Sequence, residues 1–482
     1  MQKTFLSNLI LIVVLNLLIK PFYILGIDAE VQNRVGAEVY GNYFALLNFS
    51  FLLNILLDFG INNYNNRNIA QNPQLVNSYF GKLLSIRFLL FFLYFTITIG
   101  SGLSVGYSSN EIYFLSLLVL NQFFVATIQF ARSNFGGLHL FKIDSFISVL
   151  DRMLMIVLCG YLLWSPLVKS EFKIEWFIYA QTFSYFFTAI VSIVLLKLNI
   201  GKIKLKFKKT FSLALLKQSF PYALLILLMT FYNRVDSVMI ERMLVDGDKQ
   251  AGIYAQGFRY LDAVNMFALL FAGLLLPIFA RLIKNNEQIK PILDLAVKTL
   301  LPISIIIGIT AYFFRFDLMA LRYTDTVLEA STSFGFLILS FIPVSVTYIF
   351  GTLLTANGSL KHLNWMAVGG VVLNVILNYI LIPELKSEGA AMATLITQLV
   401  TAAVQVILAT VLFKLKFDFK LILKFLILVV GIILIHYFFS TSMTTFSQLL
   451  QLISVLISST ILVFVLGLLP FKGLVVIFKS KD

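Results

Sequence analysis

Runs of apolar residues, broken at short intervals by a few polar ones, repeat from one end of the chain to the other. A helix needs about 20 apolar residues to cross about 30 Å of hydrocarbon. Runs of that length lie at 5–27, 40–64, 82–106, 112–132, 143–165, 175–197, 218–241, 250–281, 292–314, 329–357, 362–383, 389–413, 421–440 and 448–471, which predicts fourteen membrane-spanning helices and an all-α membrane protein. No small-residue cleavage site follows the first run, so it reads as a retained helix rather than a removed leader.

Composition sharpens this reading. Of 482 residues, 59% are hydrophobic and 12% charged, half the roughly 25% charged content of soluble domains. The mean hydropathy is +0.92. A single cysteine, Cys159, excludes an internal disulfide and a cysteine-based metal cluster. The net charge of +14 would suit nucleic acid, but its placement argues otherwise. With connections assigned alternately to the two sides, one side holds 25 of the 37 Lys and Arg, and the other holds eight against fourteen Asp and Glu. Basic residues stay cytoplasmic, so both termini are expected in the cytoplasm. No nucleic-acid partner is expected.

Four cations remain inside the spans: Lys20, Arg152, Arg234 and Arg259. The stretch 232–277 joins two spans and holds Arg234, Asp236, Arg259 and Asp262. A charge at bilayer depth costs at least about 2.5 kcal/mol, so such residues face a partner, a cavity or a substrate path. The plainer reading is mutual neutralisation. Arg259 and Asp262 lie three apart on one helix face and suit a pair. Asp151 and Arg152 are adjacent, point in different directions and suit contacts with other helices. Asp58 reads as structural at the end of the second span, and His436 as a packing residue.

The basic stretch 197–218 falls near the middle of the chain and reads as a positive-inside anchor. It also divides the chain into halves that echo each other. Tyr40-Gly41-Asn42-Tyr43 enters the second span and Ala251-Gly252-Ile253-Tyr254 the eighth, while Pro166 closes the fifth and Pro383 the eleventh. The expected organisation is an N-lobe at 1–205, a C-lobe at 206–415 and two further helices with a tail at 416–482. Parallel six-helix repeats place a substrate site between halves and permit rocking between inward- and outward-open states.

Three segments carry a family likeness. They are GAEVYGNYFALLNFSFLLNILLDFGINNYNNRNIA (36–70), DSVMIERMLVDGDKQAGIYAQGFRYLDAVNMFALLFAGLLLPIFARL (236–282) and LNVILNYILIPELKSEGAAMATLITQLVTA (373–402). Together they resemble the Wzx-type polysaccharide flippases of the multidrug/oligosaccharidyl-lipid/polysaccharide superfamily. The resemblance implies a V-shaped pair of lobes that moves a lipid-linked oligosaccharide, carried on polyprenyl pyrophosphate, from the inner to the outer leaflet. Membrane lipids and a polysaccharide polymerase are then the expected partners, and helices 13 and 14 lie outside the lobes.

An anionic pyrophosphate head needs fixed cations inside the membrane, and arginine supplies a permanent charge with a planar fork of donors. Lys20, Arg234, Arg259 and Arg152 are the expected substrate cations, with Asp262 and Asp151 as polar neighbours. In the resembled family the first, seventh and eighth helices face the central cavity. Asn374 and Asn378, four apart, share a helix face, and by span position Asp236, Asn378 and Thr394 sit at a similar depth. This oxygen-rich set suits Na⁺ as a coupling ion and resembles the sodium site of lipid II flippases, with Asn378 standing where that site has a carboxylate. The plainer reading is helix–helix hydrogen bonding. No other cofactor is expected. Three rival functions are a purely structural membrane scaffold, which would not need intramembrane arginines, a drug or cation exporter of the same superfamily, whose cavity should be acidic and aromatic, and a membrane glycan polymerase or ligase. The last needs catalytic side chains in sizeable outer loops, and these loops are short, so no enzyme is expected.

Overall fold

The computed structural model describes residues 15–62, 76–138, 140–165, 171–200, 209–415, 418–442 and 447–468. The centre of the basic stretch at 197–218, Pro166 and the far end of the 36–70 segment lie outside the described residues. All regular structure among the described residues is helical. The chain forms two compact units, Met1–Ala255 and Gln256–Asp482.

In the first unit, residues 15–22 are helical and continue through a π-helical stretch, Tyr23–Asp28, into α1 (Ala29–Leu52). Gly36 breaks this helix with φ 83° and ψ 164°, a conformation that glycine adopts without the Cβ clash other residues meet. The break falls between the first and second expected spans. After α1 the chain tightens into a 3₁₀ turn, Asn54–Leu57. There follow α2 (Val76–Val105), α3 (Ser109–Gly137), α4 (Phe141–Trp164), α5 (Ile174–Ile200), α6 (Lys209–Met243) and the start of α7 (Gly247–Lys284). Ser108 and Glu111 start α3 with a capping box that satisfies two otherwise orphaned backbone N–H groups. α3 packs along α5, α1 packs against α6, and an apolar core of residues such as Leu83, Phe130, Ile147 and Leu196 joins α2 to α5.

The two echoing sequence motifs meet inside this unit. A Cβ on Gly41 would strike the backbone of Asp248 and Gly252, and one on Gly252 would strike the backbone of Ala37. Only paired glycines let α1 and the start of α7 cross this closely. The side chain of Gln32 donates to the Gly252 carbonyl at 2.8 Å and holds the crossing in register.

The second unit continues α7 and adds α8 (Lys290–Phe313), the short α9 (Arg315–Arg322), α10 (Val327–Leu339), α11 (Phe341–Ala356), α12 (Leu360–Phe413), α13 (Phe419–Ser442) and α14 (Gln448–Val465). As one straight rod the 54 residues of α12 would reach about 80 Å, more than twice the hydrocarbon thickness. Lys386, just past Pro383, leaves helical geometry with φ 52° and ψ −131° and splits α12 into two arms. Gly389 permits the tight return, since a Cβ there would strike the Leu381 carbonyl oxygen. These arms are the expected eleventh and twelfth spans. Helices α10 and α11 form one span, Val327–Ala356, interrupted only at Ser340.

Among the described residues eleven helices are long and apolar enough to cross a membrane. The order of elements follows the sequence expectation, and fourteen stands as an approximate count because α12 supplies two spans and the Gly36 break separates two more. Helices α13 and α14 pack on each other and on α8 through Ile305, Ile309, Leu428, Ile432 and Val463. His436 stacks on Phe313 with ring centroids 4.3 Å apart, the packing role expected of it.

Candidate functional site

The first unit gathers most of the buried charge. Arg152, on α4, donates from Nη1 to the Tyr185 hydroxyl at 2.8 Å, and its guanidinium lies 4.6 Å above the Tyr23 ring. Asp151 and Arg152 were expected to point apart. Arg152 makes the expected contacts with other elements through Tyr185 and Tyr23, but its Nε also comes within 3.8 Å of Asp151 Oδ2. Lys20 is half-buried and lies within electrostatic reach of Arg132, Arg152, Asp144 and Asp151. Arg132 in turn donates from Nε to Asp144 at 2.6 Å. Arg132 lies in electrostatic reach of Lys20. Three cations and two carboxylates from the first helix, α3 and α4 thus share one neighbourhood.

Arg234, on α6, donates to Asn48 Oδ1 at 3.3 Å and lies 5.2 Å from the centroid of the Phe51 ring. Two residues on, Asp236 is fully buried and accepts from the Tyr254 hydroxyl at 2.8 Å. Sequence reasoning missed its counterpart, Asp28, which is equally buried and accepts from the Tyr40 hydroxyl at 2.8 Å. Each half of the chain therefore buries an aspartate near the end of its first span and bonds it to a tyrosine opening the next. The echoing Tyr-Gly and Gly-Ile-Tyr motifs were the available signal for this pair.

A fifth buried cation also escaped the sequence count. Arg87 is 3% exposed; its guanidinium holds Asp58, donates to Asn62 Oδ1 at 2.6 Å and to the Ala126 carbonyl at 2.9 Å. This supports the structural role expected of Asp58.

In the second unit Arg259 and Asp262 form the expected i,i+3 pair, 3.6 Å apart, with the arginine almost buried. Asn374 and Asn378 are fully buried on the first arm of α12, and Asn378 Nδ2 donates to Asn374 Oδ1 at 3.2 Å. Thr394 is buried on the second arm. Asp236 belongs to the first unit, the other three members of the expected ion set to the second.

Residues 5–283 match the family described as polysaccharide biosynthesis protein. The chain belongs to that family. The third resembling segment, 373–402, lies beyond the matched part. No curated protein matches the chain. Among solved structures, the fold is similar to that of a lipid II flippase, MurJ, in an inward closed conformation (15% identity, 97% of this chain and 100% of that one, TM-score 0.72). It is also similar to an inward-facing multidrug resistance MATE family transporter of the MOP superfamily (15% identity, 82% and 96% coverage, TM-score 0.61). A third is the Vibrio cholerae MATE transporter VcmN in a bent form (12% identity, 85% and 97% coverage, TM-score 0.53). At these identities the likeness establishes the fold alone. This member of the polysaccharide biosynthesis family is a multi-pass membrane protein with the fold of flippases and transporters.

Proposed function

We propose that the protein flips a polyprenyl-pyrophosphate-linked oligosaccharide, a repeat unit of O-antigen, capsule or exopolysaccharide, from the inner to the outer leaflet by alternating access. The observation that carries this reading is the set of cations inside the spans of a polysaccharide biosynthesis family member: Lys20, Arg152, Arg234 and Arg259. A pyrophosphate in hydrocarbon is prohibitively costly unless fixed donors replace its water. An exporter of cationic drugs has no use for four such cations. The protein then resides in the bacterial inner membrane with both termini cytoplasmic, beside the polymerase that consumes its product.

The test is a reconstitution. Proteoliposomes containing the protein, and protein-free vesicles, are loaded with a short oligosaccharide on polyprenyl pyrophosphate, and a sugar-specific enzyme is added outside. With the protein present the protected inner pool should become accessible; an inner pool that stays protected, alongside export of a cationic dye by the same vesicles, would establish the exporter instead.

Coupling to Na⁺ is part of the proposal. The buried amides of Asn374 and Asn378, the Thr394 hydroxyl and the Asp236 carboxylate offer hard oxygens. A ligand shifts a conformational equilibrium only through different affinities for its states. Na⁺ should therefore raise the melting temperature of purified protein more than K⁺ at equal ionic strength, and Asp236→Asn should remove that difference. Equal melting in both salts would sink sodium coupling while leaving the flippase reading intact.

A further inference from the structure

Small hydroxyl residues recur at seven-residue intervals on two packed elements of the second unit. Ser333 on α10, Ser340 at the break and Thr347 on α11 mark one element; Ser387, Thr394 and Thr401 mark α12 around its turn and along its second arm. All six are at least nine-tenths buried. Two contacts fix the register between these elements. Ser333 donates to Ser387 Oγ at 3.1 Å, and Gln405 Oε1 lies 2.7 Å from where a Cβ on Gly351 would stand. Both pairs are 54 residues apart in sequence. The two elements therefore run parallel, with Ser340 level with Thr394 and Thr347 level with Thr401. A seven-residue repeat on two helices is the spacing that keeps one seam facing another along their length.

The first arm of α12 closes the third side. Gln405 Nε2 approaches Met366 Sδ at 3.7 Å, and the tight return at Gly389 fixes the antiparallel pairing of the arms. In that pairing Asn374 stands level with Thr397. Small polar residues at helix contacts are ordinary packing in membranes, and several of these hydroxyls bond back to their own helix, as Thr401 does to the Thr397 carbonyl at 2.9 Å. Packing alone does not account for the atoms left over. Asn374 Nδ2, Thr397 Oγ1, Thr347 Oγ1 and Gln405 Oε1 are buried and make no hydrogen bond among the described residues. Gln405, 1% exposed, aims its unmatched oxygen into the seam at Gly351.

Buried polar groups are almost always matched, and those that are not call for an unseen water or ion. A water bonds about three otherwise unmatched groups and serves donor and acceptor alike. The seam offers an amide donor, an amide oxygen and two hydroxyls, and it carries no charge that would hold a bare ion. We propose that this three-walled seam in the second unit, from the Asn374–Thr397 level to the Gln405–Gly351 level, holds a file of ordered water. Gly351 lets Gln405 Oε1 reach this level, since a Cβ there would stand 2.7 Å from that oxygen and displace it. The file begins beside the residues proposed to meet Na⁺ but does not depend on that proposal.

Met366 makes the file visible. Synchrotron radiolysis splits bound water in place and oxidises the side chains it touches, and methionine sulfur reacts readily. Met366 and Met155 are both buried, Met155 fully and on α4 of the other unit. In the full-length protein in detergent, Met366 should oxidise several-fold faster than Met155 by mass spectrometry. Gln405→Leu should bring Met366 down to the Met155 rate without changing that of Met155. If that variant does not fold, Gly351→Ala keeps Gln405 but displaces its oxygen from the seam, and it should give the same loss. Oxidation of Met366 no faster than Met155 in the wild type, or oxidation unchanged in both variants, would overturn the proposal. Neither outcome bears on whether glycan is moved, so the water file and the flippase reading fail separately.

Discussion

Replacing Arg234 and Arg259 together with alanine is expected to abolish delivery of lipid-linked glycan to the outer leaflet while the protein stays abundant and helical. Each arginine has partners that an incoming anion would replace. Arg234 has a 3.3 Å bond to Asn48 and the Phe51 ring; Arg259 pairs with Asp262 at 3.6 Å. A pyrophosphate oxygen that replaced these partners would gain charge-assisted hydrogen bonds worth about 1.5–3 kcal/mol each. Loss of two such contacts is roughly a hundredfold or more in binding. Arg234→Lys and Arg259→Lys keep the charge but lose the fork, and should fall between wild type and alanine. The measurement is surface glycan in cells depleted of the native protein, read beside protein level. Normal surface glycan in the double alanine variant would remove the cations from the transport path.

The spans were legible because period and length suffice to mark them: an apolar run of about 20 residues in a membrane has little choice of structure. The return at Lys386 was legible as well, since Pro383, Glu384, Lys386 and Glu388 interrupt an otherwise apolar 54-residue stretch. Spacing along one helix also carried information. Arg259 with Asp262, and Asn374 with Asn378, were placed together by offsets of three and four, and both pairs form.

What stayed hidden depends on contacts between helices distant in sequence. Asp28 sits at the edge of an apolar run and looks like a loop acid, yet the turn at Gly36 returns Tyr40 to its carboxylate. Arg87 lies a few residues into its span, where a sidedness tally sees a cytoplasmic charge; burial comes from α3, which brings Ala126 and Phe130 over it. The two echoing glycine motifs were visible as a repeat, but no periodicity reveals that the repeats touch. The hydroxyl seam was hidden for another reason. Ser and Thr at seven-residue intervals barely lower the hydropathy of an apolar run, and the register that aligns them is set by a turn elsewhere.

Arg87 supports the second large effect, on stability rather than transport. Beyond α1 the backbone departs from helix: Leu53 and the 3₁₀ turn Asn54–Leu57 lead to Phe59 at φ 47° and Gly60 at φ 80°. A non-glycine residue with positive φ is held there by its surroundings. The brace is Arg87, which grips Asp58 and Asn62 on either side of that bend, anchors to Ala126 and lies 4.5 Å from the centroid of the Phe130 ring. Asp58 in turn accepts from the Asn62 N–H at 3.2 Å. Removing one partner of a buried ion pair leaves an uncompensated charge, at about 3–5 kcal/mol. The Asp58 side chain is 20% exposed, which puts Arg87→Met at the lower end, about 3 kcal/mol. Neutralising both groups removes the stranded charge, so Arg87→Met with Asp58→Asn should recover most of the loss as a coupling energy between neighbours. Thermal unfolding of Arg87→Met, Asp58→Asn and the double variant in detergent checks this. Melting of Arg87→Met level with wild type, or of the double variant below the single one, would mean that the bend is held by packing and not by the pair.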